Sequence, residues 1–114
     1  MLQQTSRKPS LRQRSLLSLK QAADLKDLFA IFANDTRLRL LHALVQAGEL
    51  CVTDLAERLG MNPQAISNQL QRLADRKILA TRREGNHIHY RVVDPCVPTL
   101  IHRGICLLED TREF

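Results

Sequence analysis

The chain has 114 residues, of which 44% are hydrophobic and only 4% aromatic, and a formal net charge of +5. This length favours one domain with a modest core, built mainly from aliphatic side chains. No apolar run approaches the roughly 20 residues that span a bilayer, and the basic start lacks the apolar stretch of a signal peptide. We therefore expect a cytoplasmic protein that makes no membrane contact. The positive charge suits a polyanionic partner, although a solvated basic surface would give the same balance.

Residues 1–17 carry several basic side chains, one proline and no acidic residue, which predicts a flexible basic arm. Such an arm either contacts DNA phosphates or is a solvated tail. The folded domain is predicted over residues 18–112. Its first helix covers residues 18–33, because four apolar residues recur there at helical spacing: Leu25, Leu28, Phe29 and Phe32.

A second helix is predicted over residues 36–47, since Asn34 or Asp35 can cap it and Gly48 can end it. The histidine within it, His42, lies among leucines and is interpreted as a core residue. The predicted buried positions of this helix are Leu38, Leu41, Leu44 and Val45.

Two further helices are predicted close together. The first is short, with Thr53 as its cap and Gly60 at its end. Asn62 followed by Pro63 then signals the start of a longer helix that reaches about Arg76. The apolar positions of the two helices are Leu55, Ala56, Leu59, Ile66, Leu70 and Leu73.

After residue 77 the apolar period changes from helical to alternating. Residues 78–84 and 86–93 are predicted strands, and Gly85-Asn86 between them predicts a tight turn. One face of this hairpin is apolar and the other basic. A last helix is predicted over residues 97–112. Its apolar residues spread over more than one face, so either the rest of the chain or a second subunit has to cover them: Leu100, Ile101, Ile105, Leu107 and Leu108.

Short helix, tight turn, helix and basic hairpin follow each other in the order of a winged helix-turn-helix, a mainly α fold with a small β-hairpin. In that fold the second helix of the pair enters the major groove of DNA. Its amides and hydroxyls suit base edges, and the cationic hairpin suits the phosphate backbone. The polar helix residues are Gln64, Ser67, Asn68, Gln71 and Arg72, and the cationic hairpin residues are Arg82, Arg83, His87, His89 and Arg91.

Two other classes of function are weighed against DNA binding. No nucleophile–base motif, phosphate loop or carboxylate pair indicates an enzyme, and so short a chain leaves little room for a pocket. A winged helix that binds protein remains an alternative. The salt dependence of binding to promoter DNA separates the two, because DNA complexes weaken steeply as salt rises.

Three segments resemble the ArsR/SmtB family of bacterial winged-helix repressors, over about residues 20–110: FANDTRLRLLHAL, ELCVTDLAERLGMNPQAISNQLQRLADRKIL and TRREGNHIHYRV. The resemblance implies a homodimer joined by its first and last helices. It also implies repression through an imperfect palindrome in double-stranded DNA, with release when an effector binds. By position it places at the DNA Gln64, Ser67, Asn68 and Gln69, with Arg83 and Asn86 on the wing.

The resemblance suggests two effector sites. One is a Cys-x-Cys pair at the start of the third helix, used for arsenite, cadmium or lead. Here Cys51 is present, but Thr53 stands where the second thiol would be. That site is incomplete, so arsenite binding in its usual form is not expected and Cys51 is the weaker candidate ligand.

The other site lies on the last helix and is shared across the dimer. Asp94 with Cys96, and Cys106 with Glu109, match its two ligand pairs if one residue is deleted between them. Thiolates there favour a soft ion such as zinc, cadmium, lead or mercury, and His102 is a spare ligand. Two alternatives stay open: a redox switch that pairs Cys106 with Cys96 or Cys51, or a regulator without a cysteine-based effector, in which Cys106 is a small core residue.

Overall fold

The computed structural model describes residues 8–112. Within that range five α-helices pack with a three-stranded antiparallel sheet, whose strand order is β1–β3–β2. This is the predicted winged helix-turn-helix. No helix in the described range is long and apolar enough to cross a bilayer. The elements are α1 (Leu19–Phe32), α2 (Asp35–Ala47), β1 (Leu50–Cys51), α3 (Val52–Leu59), α4 (Pro63–Asp75), β2 (Leu79–Glu84), β3 (His87–Val92) and α5 (Cys96–Thr111).

The predicted basic arm is described only in its second half, since residues 1–7 lie outside the described range. Residues 8–17 are exposed and include a single 3-10 turn at Leu11–Gln13. Helix α1 begins directly after Ser18, whose Oγ accepts a hydrogen bond from the Gln21 backbone N–H at 3.1 Å. This cap satisfies one of the free N–H groups of the first turn.

The core lies where α2, α3 and α4 meet the sheet. Tyr90 of β3 and Val97 of α5 complete the core cluster. The predicted apolar faces of α3 and α4 are confirmed, with Leu59 half-buried. Seven side chains are fully buried: Leu40, Leu41, Leu44, Leu55, Ile66, Leu70 and Leu73.

The predicted buried face of α2 is partly wrong. Leu38 and Val45 are exposed to 36% and 41%, and His42 is exposed rather than in the core. The helix turns Leu40 and Ala43 towards the core instead. Because α2 carries more apolar residues than one face holds, the spacing alone did not select the buried side.

The predicted face of α1 is also largely uncovered. Phe32 is buried and Leu28 half-buried, but Leu25 and Phe29 are exposed to 37% and 46%. On α5, Leu107 is 63% exposed. The first and last helices thus present apolar surface that this chain does not cover.

The sheet has a third strand that the sequence did not indicate. In β1, Leu50 lies opposite Tyr90 and Cys51 opposite His89. The strand leads directly into α3, which begins at Val52, so the predicted cap at Thr53 is wrong. Two residues are too few to show an alternating pattern.

Candidate functional site

Helices α3 and α4 form the helix-turn-helix. Gly60 ends α3 in the left-handed conformation, at φ 65°. Asn62 then caps α4, because its Oδ1 accepts a hydrogen bond from the Gln64 backbone N–H at 2.7 Å. Pro63 occupies the first helical position, where its missing N–H removes no bond. These local signals fix where the second helix, here called the reading helix, starts.

The reading helix buries one side and exposes a row of amides. Gln64 and Asn68 are exposed and joined at 3.1 Å, with the Gln64 Nε2 donating to the Asn68 Oδ1. Arg72 is also exposed, and Ser67 is half-buried. These four predicted contact residues therefore have side chains that reach the surface without holding another part of the fold, and Gln71 is exposed as well.

Gln69, which the family resemblance also places at the DNA, is held differently. It is half-buried, and its Oε1 accepts a hydrogen bond from the Nη1 of Arg37 at 2.8 Å. Arg37 is a buried cation of α2 that was not predicted from the sequence to lie in the core. Its spacing from Leu41 and Leu44, four and seven residues on, is the signal that places it on the buried face.

The β2–β3 hairpin, here called the wing, packs against α4 through β2. Gly85 turns it at φ 62°, a conformation that suits glycine. Arg83, Asn86 and His87 are exposed around this turn. Arg91 is exposed on β3, so the wing presents a cationic, polar rim.

Arg82, predicted as a DNA contact on the wing, forms an ion pair within the chain. Its Nη2 lies 2.6 Å from the Glu49 Oε1, and its Nε donates to both Glu49 oxygens at 3.2 Å. The hydrogen bond with Arg82 is the main cause that lowers the pKa of Glu49, and the same bond raises the pKa of Arg82. The pair ties the wing to the segment before β1.

A second acidic group lies near Arg82 on the wing. The Glu84 Oε1 is 3.6 Å from the Arg82 Nη1 and 3.4 Å from the His89 Nε2. His89 is half-buried. Two of the predicted wing cations are therefore close to carboxylates within the chain, whereas Arg83 and His87 have no ion-pair partner among the described residues.

The three cysteines lie in different surroundings. Cys51 is buried, and its Sγ donates to the Asp54 Oδ2 at 3.4 Å. Cys96 is exposed at the first residue of α5. Cys106 is half-buried, with its Sγ 3.5 Å from the Nε2 of His102.

Asp94 and Glu109, the predicted oxygen ligands, are both exposed. The Asp94 Oδ1 accepts a hydrogen bond from the Cys96 backbone N–H at 2.8 Å, which is the main cause that lowers the pKa of Asp94. Within residues 8–112, no three His, Cys, Asp or Glu side chains of one chain are placed to hold a metal ion. Cys96 and Cys106 are ten residues apart on α5, so about 15 Å of helix separates them.

An apolar groove of about 460 Å³ runs between α2 and α5. Leu38 and His42 line it from α2, and Leu100, Ile105 and Leu108 from α5. Leu38 and His42, which were predicted to lie in the core, thus face the last helix instead.

The family model for bacterial regulatory proteins of the arsR family matches residues 34–78, from the cap of α2 to the residue before β2. A curated relative, the transcriptional repressor SmtB homolog of Synechocystis sp., is 36% identical over 88 residues. That match covers 77% of this chain and 66% of the relative, so the chain spans just under two thirds of its length.

Two solved structures are similar over most of the chain. The AntR antimony-specific transcriptional repressor is 60% identical, with a TM-score of 0.79, and the match covers 91% of this chain and 94% of AntR. A homodimeric winged helix-turn-helix DNA-binding domain from Mycobacterium bovis, a possible ArsR-family regulator, is 30% identical with a TM-score of 0.70. That match covers 88% of this chain and 94% of the domain.

Proposed function

Since the chain belongs to the ArsR family of bacterial regulatory proteins, we propose that it is a homodimeric transcriptional repressor that leaves its operator when a soft metal or metalloid ion binds. The observation that carries the DNA-binding part is that the reading helix exposes an amide row and the wing exposes a cationic rim, on two elements that contact each other through α4 and β2. Amide side chains suit base edges, and the rim suits phosphates.

The contact surface we propose combines exposed residues from both elements. On the reading helix it includes Gln64, Ser67, Asn68 and Arg72, and on the wing Arg83, Asn86 and His87. Arg82 and Gln69 are left out of this surface, because the side chain of each is held by a partner elsewhere in the chain. Arg72 and Arg83 are the proposed phosphate or guanine contacts.

Titration of a duplex from the region upstream of the gene tests this surface. We expect Asn68→Ala to lower affinity for that duplex far more than for an unrelated one, because it removes a proposed base contact. Arg83→Ala should weaken binding to both duplexes and reduce the salt dependence, as loss of a phosphate contact does. Equal binding of the parent protein to both duplexes at moderate salt would contradict the proposal and favour a protein-binding role.

The homodimer is proposed to form through α1 and α5. These helices carry the exposed apolar side chains Phe29, Leu100 and Leu107, and a patch of that kind on a soluble chain usually marks a contact surface. The M. bovis domain, which is described as homodimeric, supports this assembly. Leu100→Glu should yield monomers in size-exclusion chromatography with light scattering, while Asn68→Ala stays dimeric.

The effector site is proposed at Cys96 and Cys106 of α5. At 3.6 residues per turn the two cysteines are about 80° apart around the helix and equidistant along it from Ile101. Ile101 itself points to the opposite side, so two α5 helices that pack antiparallel through the cysteine-bearing side, with their twofold axis level with Ile101, would bring Cys96 of one subunit beside Cys106 of the other. Each dimer would then hold two equivalent thiolate pairs, with Asp94, Glu109 and His102 as further donors.

Thiolates favour soft ions, and the similarity to the antimony-specific AntR favours trivalent antimony over the divalent soft ions zinc, cadmium, lead and mercury. We expect antimonite to release the protein from its duplex, and Cys96→Ser and Cys106→Ser each to abolish that release. Cys51→Ser is the matched control, because Cys51 is buried and bonded to Asp54. It should respond like the parent protein.

Mixing the two serine variants tests whether the site is shared between subunits. A heterodimer of Cys96→Ser with Cys106→Ser contains one intact pair, so it should regain about half of the bound antimony. Failure to regain any would contradict a shared site. Release by diamide without metal, reversed by reductant, would indicate the redox alternative instead.

A further inference from the structure

A single buried cation joins three helices of the fold. Arg37 is 9% exposed and is the one buried polar or charged residue within residues 8–112. It lies in α2, on the same face as the fully buried Leu41 and Leu44. A buried guanidinium is unfavourable unless its N–H groups find acceptors, so its contacts identify what it holds together.

The contacts of Arg37 extend to the helices on either side of α2. Its Nε donates to the Ile31 carbonyl of α1 at 2.7 Å, and its Nη1 donates to the Gln69 Oε1 of α4 at 2.8 Å. Its backbone N–H donates to the Asn34 cap at 3.0 Å, which fixes the start of α2. One side chain thus joins the end of α1 to the middle of the reading helix.

The chemistry of Arg37 also fixes how Gln69 is oriented. A guanidinium has donors and no acceptor, so the amide oxygen of Gln69 has to face it. Only the NH₂ group of Gln69 then remains free. Gln69 lies beside the buried Ile66 and Leu70, at the edge of the amide row formed by Gln64 and Asn68.

We propose that Arg37 is a positioning residue for DNA recognition, which sets the angle of the reading helix relative to α1 through Gln69. The inference rests on the proposed function, since it assigns a route between the dimer contact and the DNA contact. Because α1 is part of the proposed dimer surface, a shift of α1 moves the Ile31 carbonyl. Arg37 carries that movement to α4.

A double-mutant cycle on Arg37 and Gln69 tests the route. Arg37→Met and Gln69→Met should each lower affinity for the upstream duplex about tenfold or more, the effect of losing one hydrogen bond to a charged group. The double variant should be no weaker than Arg37→Met alone, because both changes break the same contact. Binding to an unrelated duplex should stay within about twofold of the parent, since the phosphate contacts are untouched.

Gln69→Glu separates a positioning role from direct base reading. Glutamate keeps the acceptor that Arg37 needs but removes the free NH₂ group. Positioning predicts that Gln69→Glu keeps the parent's ratio of specific to non-specific affinity. If Gln69 reads a base directly, the ratio of specific to non-specific affinity should fall sharply in both Gln69 variants. Losses of affinity that add up in the double variant of the cycle would also overturn the proposal. Should Arg37→Met fail to fold, the two Gln69 variants still decide the question.

A measurement without DNA keeps this inference separate from the proposed function. In ¹H–¹⁵N spectra of the free protein, the Arg37 guanidinium protons should be observable and should shift in both Gln69 variants. Arg72, exposed on the same helix, gives the control signal that should not shift. Unshifted Arg37 signals would refute the contact even if DNA binds, whereas shifted signals in a protein that binds no specific duplex would refute the proposed function alone.

Discussion

The Glu49–Arg82 ion pair gives a quantitative prediction for the wing. Glu49→Gln removes the carboxylate that receives three contacts from Arg82, at 2.6, 3.2 and 3.2 Å. The freed cation lies on the strand beside Arg83, where the wing is proposed to meet the phosphate backbone. The variant should therefore bind duplex DNA more tightly at low salt and lose that gain as salt rises.

The magnitude follows from counterion release. Each phosphate neutralised adds about 0.9 to the slope of log K against log salt, so two wings per dimer add at most about 1.8. Between 50 and 200 mM salt, the variant's affinity should then fall about tenfold more than the parent's. Glu84, whose Oε1 lies 3.6 Å from the Arg82 Nη1, still neutralises part of the Arg82 charge in the variant. The added slope should therefore stay below that limit.

Fluorescence anisotropy of a labelled duplex at four or five salt concentrations measures this slope. Asp24→Asn is the matched control, because it removes the same charge from an ion pair with Lys20 on α1. A slope for Glu49→Gln equal to the parent's would refute the prediction that Arg82, once freed from Glu49, reaches the phosphates. An equal increase in the control would mean that net charge, and not the wing, sets the salt dependence.

Three further predictions concern stability. Because its ion pair lowers the pKa of Glu49, the pair stabilises the fold fully above the usual carboxyl pKa, and this stabilisation is lost as pH falls through the lowered value. In urea unfolding, the midpoints of the parent and of Glu49→Gln should therefore converge in acid. Leu70→Ala should lower the free energy of unfolding by about 2–5 kcal/mol, because Leu70 is fully buried, whereas Leu70→Met should cost less than about 1.5 kcal/mol. Gly60→Ala should cost about 1–2 kcal/mol, since φ is +65° and the added Cβ meets no atom within 4 Å, which makes backbone strain its main effect. Midpoints of chemical denaturation equal to the parent's for Leu70→Ala or Gly60→Ala, or for Glu49→Gln at neutral pH, would contradict the contacts and backbone conformation on which these predictions rest.

The parts of the fold that depend only on residues close together in the sequence could be predicted from it. Asn62 and Pro63 mark the start of the reading helix by capping and ring geometry, and Ile66, Leu70 and Leu73 mark its buried side by period. Gly85 marks the turn of the wing. Each of these signals acts within one or two helical turns, so the linear pattern contains it in full.

The contacts that tune the site join residues far apart in the chain, and no sequence pattern predicts them. Glu49 and Arg82 are 33 residues apart, and Arg37 and Gln69 are 32 apart. A charged side chain on a strand looks the same in the sequence whether it meets a phosphate or an internal carboxylate. Only the packing of β1 against β3 brings Glu49 within reach of Arg82, and β1 itself was too short to predict.

The same distinction applies to the proposed effector site, where residue chemistry and assembly are separate questions. Cys96 and Cys106 could be proposed from the sequence because the family resemblance implies ligand pairs on the last helix and because thiolates suit a soft ion. About 15 Å of helix separates them, so one chain alone does not form the pair. Phe29 and Leu100 are exposed, so the apolar faces of the first and last helices also require another surface to pack against. One antiparallel contact between two copies would meet both requirements, and an ion bound there would change the packing of the dimer contact to which α1 belongs, the helix that Arg37 joins to the reading helix.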